Sequence, residues 1–478
     1  MDSFKLNKML RSERYKGPDE NEFKANFGSH LSGCREKYPR DIWENLYILC
    51  LHHWEFDTAV QSPLKTWLRS KGILEYNAVK MYNRKSPPET DSCSVLVPFT
   101  NICRRDYLPF IRPALTDLSI PDEETVLFTS RLKCADVYDG QEIGDHPVLY
   151  EEDLIDFGTY RRARRDYRAL EPHIESLCSE YDLSWRDRQA TILFFKRYYL
   201  NKHIFLTVLE RTSPDVIYTI HFHTTRGYFA ALREYEQSPN VSTVFVQHGA
   251  FSEGINHQFV GADWGLLWGE YFQDILDSKQ HVPVPENRAV VGNPKIAELR
   301  ARYSTTVDTD TKPLITYAST PVDHSTDALR MVAETLEARD DIRVIYKPHP
   351  SAPRDKFRKL LDEGLLSEQQ IRPSADTYEL IVDSRVVLGT ESSVLPEAIA
   401  LDVPVLQLLP ERCNTDWDEY GLRGVSKPTA LNEEITELCT NNAYWAECLQ
   451  EAKQLTNVLY SHDEEASNKI SAVIENLI

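Results

Sequence analysis

Three stretches of this chain combine side-chain types and spacing that could do chemistry. In "IRVIYKPHPS", residues 342 to 351, an alternating apolar run empties into Lys347 and His349, held between prolines. A cation and an imidazole on a turn stiffened by proline can donate to a pyrophosphate or a base; a proline-rich surface turn is the plainer account. In "VVLGTESSVLPEAIA", residues 386 to 400, Thr390, Glu391, Ser392 and Ser393 stand between an apolar run and a helical pattern. Hydroxyls and free backbone N–H groups at a helix start suit an anion, while N-capping accounts for the same residues without any ligand. Glu397, one turn further on, is spaced to accept from ribose hydroxyls of a nucleotide whose phosphate lies on that helix start, or else is a surface glutamate.

The third stretch, "VFVQHGAFSEG", places Gln247, His248 and Gly249 at a strand end, with Glu253 just beyond. The strand before it ends in "IHFHTTRG", carrying His221 and His223. Those two histidines lack a carboxylate or third ligand at supportive spacing, so no metal is expected. A histidine here suits a general base on an acceptor hydroxyl, since an imidazole of ordinary pKa, about 6.5, exchanges protons near neutrality. Gly249 leaves room for a ligand to approach the backbone, and Gln247, His221, His223 and Glu253 are taken as acceptor or cleft residues.

Such residues need a scaffold that brings strand ends together. Short apolar runs at 94 to 100, 125 to 130, 215 to 220, 242 to 249, 264 to 269 and 288 to 294 alternate with helical patterns. A second series follows, at 313 to 320, 342 to 347, 386 to 390 and 403 to 409. The fold class expected is α/β, with two Rossmann-like doubly wound domains facing a cleft, and ligands bound at the carboxyl ends of the strands. Boundaries are expected as a helical N-terminal extension (1–88), an acceptor domain (89–294) with a helical insertion at about 159–211, a nucleotide-donor domain (295–430) and C-terminal helices (431–478). Gly292, Asn293 and Pro294 in "VVGNP" read as the hinge. In the insertion, Ser184 and Asp187 are spaced as a helix start, and "YRRARRDYR" is basic enough either to be a solvated face or to touch anionic lipid or a phosphorylated acceptor.

The net charge of −20 excludes a general nucleic-acid binder, because phosphate neutralisation needs a basic surface. Nine cysteines without a C-x-x-C pair fit reduced thiols rather than a disulfide framework. The start has no signal-peptide pattern, and no apolar run reaches the roughly 20 residues that span a bilayer. A cytoplasmic protein is expected, with peripheral contact at the inner face of a membrane left open.

The ordered set "VFVQHG", "VVGNP", "YKPHP" and "GTESSVLPEAIALDVPVL" resembles the two-domain GT-B glycosyltransferases over about 215 to 410. The resemblance is especially to the branch that includes capsule polysaccharide transferases, bacterial CMP-sugar transferases and the CDP-glycerol glycerophosphotransferases. In those families a His-Pro motif and a Ser/Thr pair hold the nucleotide, which maps onto His349 and Ser392/Ser393, and a His-Gly motif supplies a base, which maps onto His248. The resemblance implies a metal-independent inverting transfer from a CMP-, CDP- or UDP-linked sugar, without a further cofactor, to a glycan or lipid-linked acceptor. The tail "HGAFSEG" lacks the threonine, proline and lysine usual in the glycerophosphotransferases. UDP-N-acetylglucosamine 2-epimerases share the Gly-Asn and the Ser/Glu-rich helix start, but carry Arg and Glu where this chain has "YASTPVDHSTD". An idle GT-B scaffold would look the same in sequence.

Overall fold

A computed structural model describes residues 37–39, 92–99, 107–130, 145–220, 226–235, 240–249, 262–278, 284–303, 312–320, 325–349, 354–413, 415–461 and 463–478. All but three residues of the expected N-terminal extension lie outside this set, as do His221, His223 and Glu253.

Two parallel sheets form the framework. The first contains β1 (Val95–Phe99), β2 (Thr125–Thr129), β3 (Val148–Tyr150), β4 (Val216–Thr219), β5 (Ser242–Val246), β6 (Trp264–Leu267) and β7 (Asn287–Val290), in the order β3-β2-β1-β4-β5-β6-β7. The second contains β8 (Leu314–Ala318), β9 (Arg343–Lys347), β10 (Val386–Gly389), β11 (Val405–Leu408) and β12 (Gly424–Val425), in the order β12-β11-β10-β8-β9. Strands such as β1, β8 and β10 are buried along their whole length, which is why their sequences are continuous rather than alternating apolar runs. Both orders are doubly wound, with the winding reversing between β1 and β4 and between β8 and β10. At such a reversal the crossover helices diverge to opposite faces and open a crevice outside the carboxyl ends.

Nine of the strands lie within the apolar runs expected from sequence, and β7 begins one residue before its run. The edge strands β3 and β12 were not expected: at three and two residues they are too short to show any periodicity. After β3, Asp156 accepts from the Thr159 N–H at 2.6 Å and starts the helix Phe157–Glu180. Ser184 caps the antiparallel helix Trp185–Thr212 by accepting from the Asp187 N–H at 3.2 Å, the start its spacing announced.

The chain's last helices tie the two sheets into one body. The helix Asn442–Leu459 packs both on Val394–Ala400, which follows β10, and on Glu270–Ser278, which follows β6. The helix Ala466–Glu475 then returns to Leu108–Leu115, where Ser471 Oγ donates to the Pro113 carbonyl at 3.1 Å. One apolar cluster therefore runs from Val95 and Phe245 of the first sheet through Leu455, Leu459 and Ile474 to Val387 and Leu395.

One close approach in this seam is at Gly269, just after β6. A Cβ there would lie 2.2 Å from the Val458 carbonyl oxygen and 2.6 Å from that of Leu459. Backbone atoms cannot step aside as a side-chain tip can, so Gly269→Ala is expected to push the C-terminal helix off the sheet end. The expected loss is about 1–3 kcal/mol, as for overpacked cores, read as a lowered thermal midpoint; an unchanged midpoint would mean the seam is not tight there.

Candidate functional site

The ends of β8, β9 and β10 meet at the reversal of the second sheet. β8 lies between the other two, and its continuation, Ser319 and Thr320, bonds to both sides. Ser319 Oγ accepts from the His349 N–H at 2.9 Å, and Ser319 N–H donates to the Lys347 carbonyl at 3.0 Å. On the other side the Thr320 and Thr390 hydroxyls stand 3.2 Å apart, both buried. Thr320 is braced in turn: its carbonyl accepts from Ser325 Oγ at 2.9 Å, and Ser325 Oγ accepts from Lys356 Nζ at 2.8 Å. The result is a row of hydroxyls from adjacent strand ends, tied together by the His349 and Ser319 N–H groups, which donate within the row itself; hydroxyls so gathered can donate to a phosphate.

Ser392 and Ser393 extend the row. Ser392 Oγ accepts from the Val394 N–H at 3.3 Å, so it serves as a local cap, whereas the half-buried Ser393 makes no side-chain capping bond. Glu391 is half-buried beside them. Lys347 donates from Nζ to the Pro373 carbonyl at 2.8 Å. Ile371 bridges Tyr346 on the free edge of β9, so this bond holds the ammonium against that edge, and it must be exchanged before Lys347 can serve a phosphate.

Glu397 differs from its expected surface or ribose-facing position. It is 2% exposed, and both of its oxygens are bonded: Oε1 to Lys295 Nζ at 2.9 Å and Oε2 to the Tyr378 hydroxyl at 2.7 Å. Lys295 also lies over the Tyr378 ring, 5.1 Å from its centroid. Lys295 is reached through "VVGNP": Gly292 has φ of 93°, a left-handed turn that favours glycine, and Asn293 caps the helix Pro294–Arg302 by accepting from the Lys295 N–H at 3.1 Å. The stretch read as a hinge thus delivers a lysine that clamps the helix following β10. That helix is further held by Arg300 Nε donating to the Ala400 carbonyl at 3.1 Å.

On the first sheet, Gln247 proves to be a fastener rather than a cleft residue. It is fully buried; its Oε1 accepts from the Trp268 N–H at 3.0 Å, its carbonyl from Trp268 Nε1 at 2.7 Å, and its Nε2 donates to the Gly249 carbonyl at 3.1 Å. These bonds join the ends of β5 and β6 and shape the turn that carries His248. The His248 ring lies edge-on to Tyr107 (centroids 5.7 Å) and Phe245 (6.1 Å). Burial among these rings pushes its pKa down to about 4, against a hydrogen bond to the Ile220 backbone that favours the charged form. Beside Gly249 a Cβ would meet no atom within 4 Å, so packing does not demand glycine at this position.

A continuous line of contacts links the two sets. Gln407, at the end of β11, donates from Nε2 to the Thr390 carbonyl at 3.3 Å and to Thr415 Oγ1 at 2.8 Å. The next residue, Asp416, accepts from the Tyr271 hydroxyl, and Tyr271 opens the helix that leaves β6 beside Trp268, the partner of Gln247. Asp416 and Tyr271 each follow the carboxyl end of a strand, so the carboxyl ends of the two sheets face each other. Ser319, Thr320, Ser325, Lys356, Gln407 and Tyr107 were not singled out from sequence. Gln407 left a signal, a polar residue inside "VPVLQLL"; so did Ser319 and Thr320, hydroxyls that extend an apolar run. Among the described residues no group of three His, Cys, Asp or Glu could hold a metal ion.

No protein-family model matches the chain, and no curated protein matches its sequence. Solved structures do match the fold. A Listeria monocytogenes protein assigned as a UDP-N-acetylglucosamine 2-epimerase aligns at 17% identity over 80% of this chain and 96% of its own, with a TM-score of 0.52. MnaA of S. aureus, solved with UDP, aligns at 14% identity over 81% of this chain and 98% of its own, with a TM-score of 0.51. The UDP-GlcNAc 2-epimerase of Neisseria meningitidis, bound to UDP-GlcNAc, aligns at 14% identity over 80% and 100%, with a TM-score of 0.50. The class these likenesses define is that of the GT-B-type fold, two doubly wound parallel sheets with helices. At such identities they show the fold and leave the reaction to be argued from the site.

Proposed function

We propose that the chain is an inverting GT-B glycosyltransferase that moves a sugar from a nucleotide-linked donor to an acceptor hydroxyl. The observation that carries this reading is the junction of three strand ends at Ser319, Thr320, His349 and Thr390, facing a sheet whose β5 leads into the turn that carries His248. The donor's phosphate is assigned to the hydroxyl row, with Ser392, Ser393, Glu391 and a released Lys347 around it. Glu397 supports the row from beneath through Lys295. The acceptor oxygen attacks the anomeric carbon as the carbon–oxygen bond to the nucleotide phosphate breaks. Its proton passes to His248, and the departing anion is held by the strand-end hydroxyls and by Lys347 once it leaves the Pro373 carbonyl.

Epimerisation is the second reading, favoured by the epimerase neighbours. The first measurement is thermal unfolding with CMP-, CDP-, UDP- and GDP-linked sugars. One of them at a hundredfold excess over its dissociation constant should stabilise by about 2.7 kcal/mol; no stabilisation by any of the four removes the donor site. Incubation of UDP-N-acetylglucosamine alone then separates the readings. Isomerisation without an acceptor assigns the epimerase; an unchanged sugar that is consumed only when a glycan or lipid-linked acceptor is added assigns the transferase.

A further inference from the structure

The basic stretch noted in the sequence is absorbed by neither reading. In the helix Phe157–Glu180 the residues Thr159, Tyr160, Ala163, Tyr167, Leu170, Ile174 and Leu177 are buried. Arg161, Arg164, Arg165 and Arg168 are exposed. At 3.6 residues per turn these four arginines and Phe157 fall within an arc of about 100°, opposite the buried stripe. Phe157 is 65% exposed, among the most exposed large apolar side chains of the described residues. The Arg161 guanidinium lies over its ring, 5.8 Å from the centroid. Arg165 is paired with Asp166 at 3.2 Å, whereas Arg161, Arg164 and Arg168 make no ion pair with a described residue. Arg162 is turned inward, donating to Thr159 Oγ1 at 3.4 Å.

We propose that this face, Phe157 with Arg161, Arg164, Arg165 and Arg168, docks the protein on an anionic lipid surface. Four cations, one of them paired with Asp166, lie on the first turns of this face, ahead of the exposed Glu171 and Glu175, in a chain with net charge −20; they make a local positive field that survives only at short range, about 10 Å at 0.1 M salt. A flat anionic surface meets all four at once. The phenylalanine within the same arc can enter the headgroup boundary while the arginine stems lie along it. The opposite face of the helix is buried in the protein, so this contact lies along a lipid surface rather than across it. Its position suits the cleft: the helix begins seven residues after β3 ends at Tyr150, on the carboxyl side of the first sheet. Docking there would bring that side of the sheet toward a lipid surface. The proposal stands on the helix alone, whichever reaction the cleft performs.

The experiment is co-sedimentation of the full chain with phosphatidylcholine vesicles, with and without phosphatidylglycerol. Expected is binding only to the anionic vesicles, weakened by salt. It should fall at least about tenfold in Arg164→Gln/Arg168→Gln, since each cation near such a surface is worth about fivefold. Phe157→Ser should also weaken it, with unfolding midpoints of all variants unchanged because these side chains are exposed. The proposal is overturned if the wild type binds neither vesicle, or if the arginine variant binds as well as wild type. It is equally overturned if Phe157→Ser binds undiminished while soluble inorganic polyphosphate competes fully, which would make the face a site for free polyanions.

Discussion

Glu397→Ala should cost about 3–5 kcal/mol of folding stability, measured as a lowered unfolding midpoint with no ligand present. The carboxylate is 2% exposed, and its removal strands two groups at once. Lys295, with its side chain 12% exposed, loses its counter-charge, and the Tyr378 hydroxyl loses its acceptor. Lys295 retains the Tyr378 face and some access to water, so the lower end of the range is expected. Glu397→Gln keeps an acceptor for Tyr378 and should fall between wild type and alanine. Replacing both partners, Lys295→Met with Glu397→Leu, should recover much of the loss, because an apolar pair leaves no buried charge uncompensated. The cycle should return a coupling of about 0.5–3 kcal/mol. A ribose-binding Glu397 makes a different prediction: the ligand-free midpoint would stay put, and only the stabilisation by nucleotide would shrink. That result would reverse the assignment made from the geometry.

The two outcomes for Glu397 show where sequence reading reached its limit. The strands were legible because burial on both faces forces continuous apolar runs, and β8, β9 and β10 could be placed within a residue or two from "PLITYAST", "IRVIYKPHP" and "VVLGT". The strand order was legible only as a class, since nothing in a run of valines says which neighbour it pairs with. The partners of the site residues were not legible at all. Glu397 and Lys295 are 102 positions apart, and Ser319 and His349 are 30 apart; their contacts are set by which strands are adjacent. Lys347 looked free because a lysine after a strand usually is, yet it is held by the Pro373 carbonyl, on a segment that carried no sequence signal. The helix face at 157–168 was legible in composition, while its segregation of Arg162 inward and of Phe157 outward required the helix's orientation.

His248→Ala should lower turnover by about 10²- to 10⁴-fold, the usual contribution of a positioned general base, and leave the stabilisation by nucleotide intact, because the donor residues belong to the other sheet. Full activity in this variant would remove the base. The pH dependence gives a second, independent reading. With its pKa pushed down to about 4 by burial, His248 is neutral in the free enzyme at and above about pH 5. The kcat/KM profile should therefore be flat on its acid side until the pH falls through about 4, where protonation abolishes the acceptor of the proton. In the donor complex the phosphate charge favours imidazolium, so the corresponding limb of kcat should lie higher. Tyr107, edge-on to the ring at 5.7 Å, offers the control. Tyr107→Ala admits water to the imidazole and should move the kcat/KM limb up toward the ordinary value of about 6.5, with turnover near neutrality retained. A limb that stays at about 4 in Tyr107→Ala would mean that the titrating group is not His248. A limb that moves while His248→Ala stays inactive ties the base, its burial and the acceptor side of the cleft to one residue.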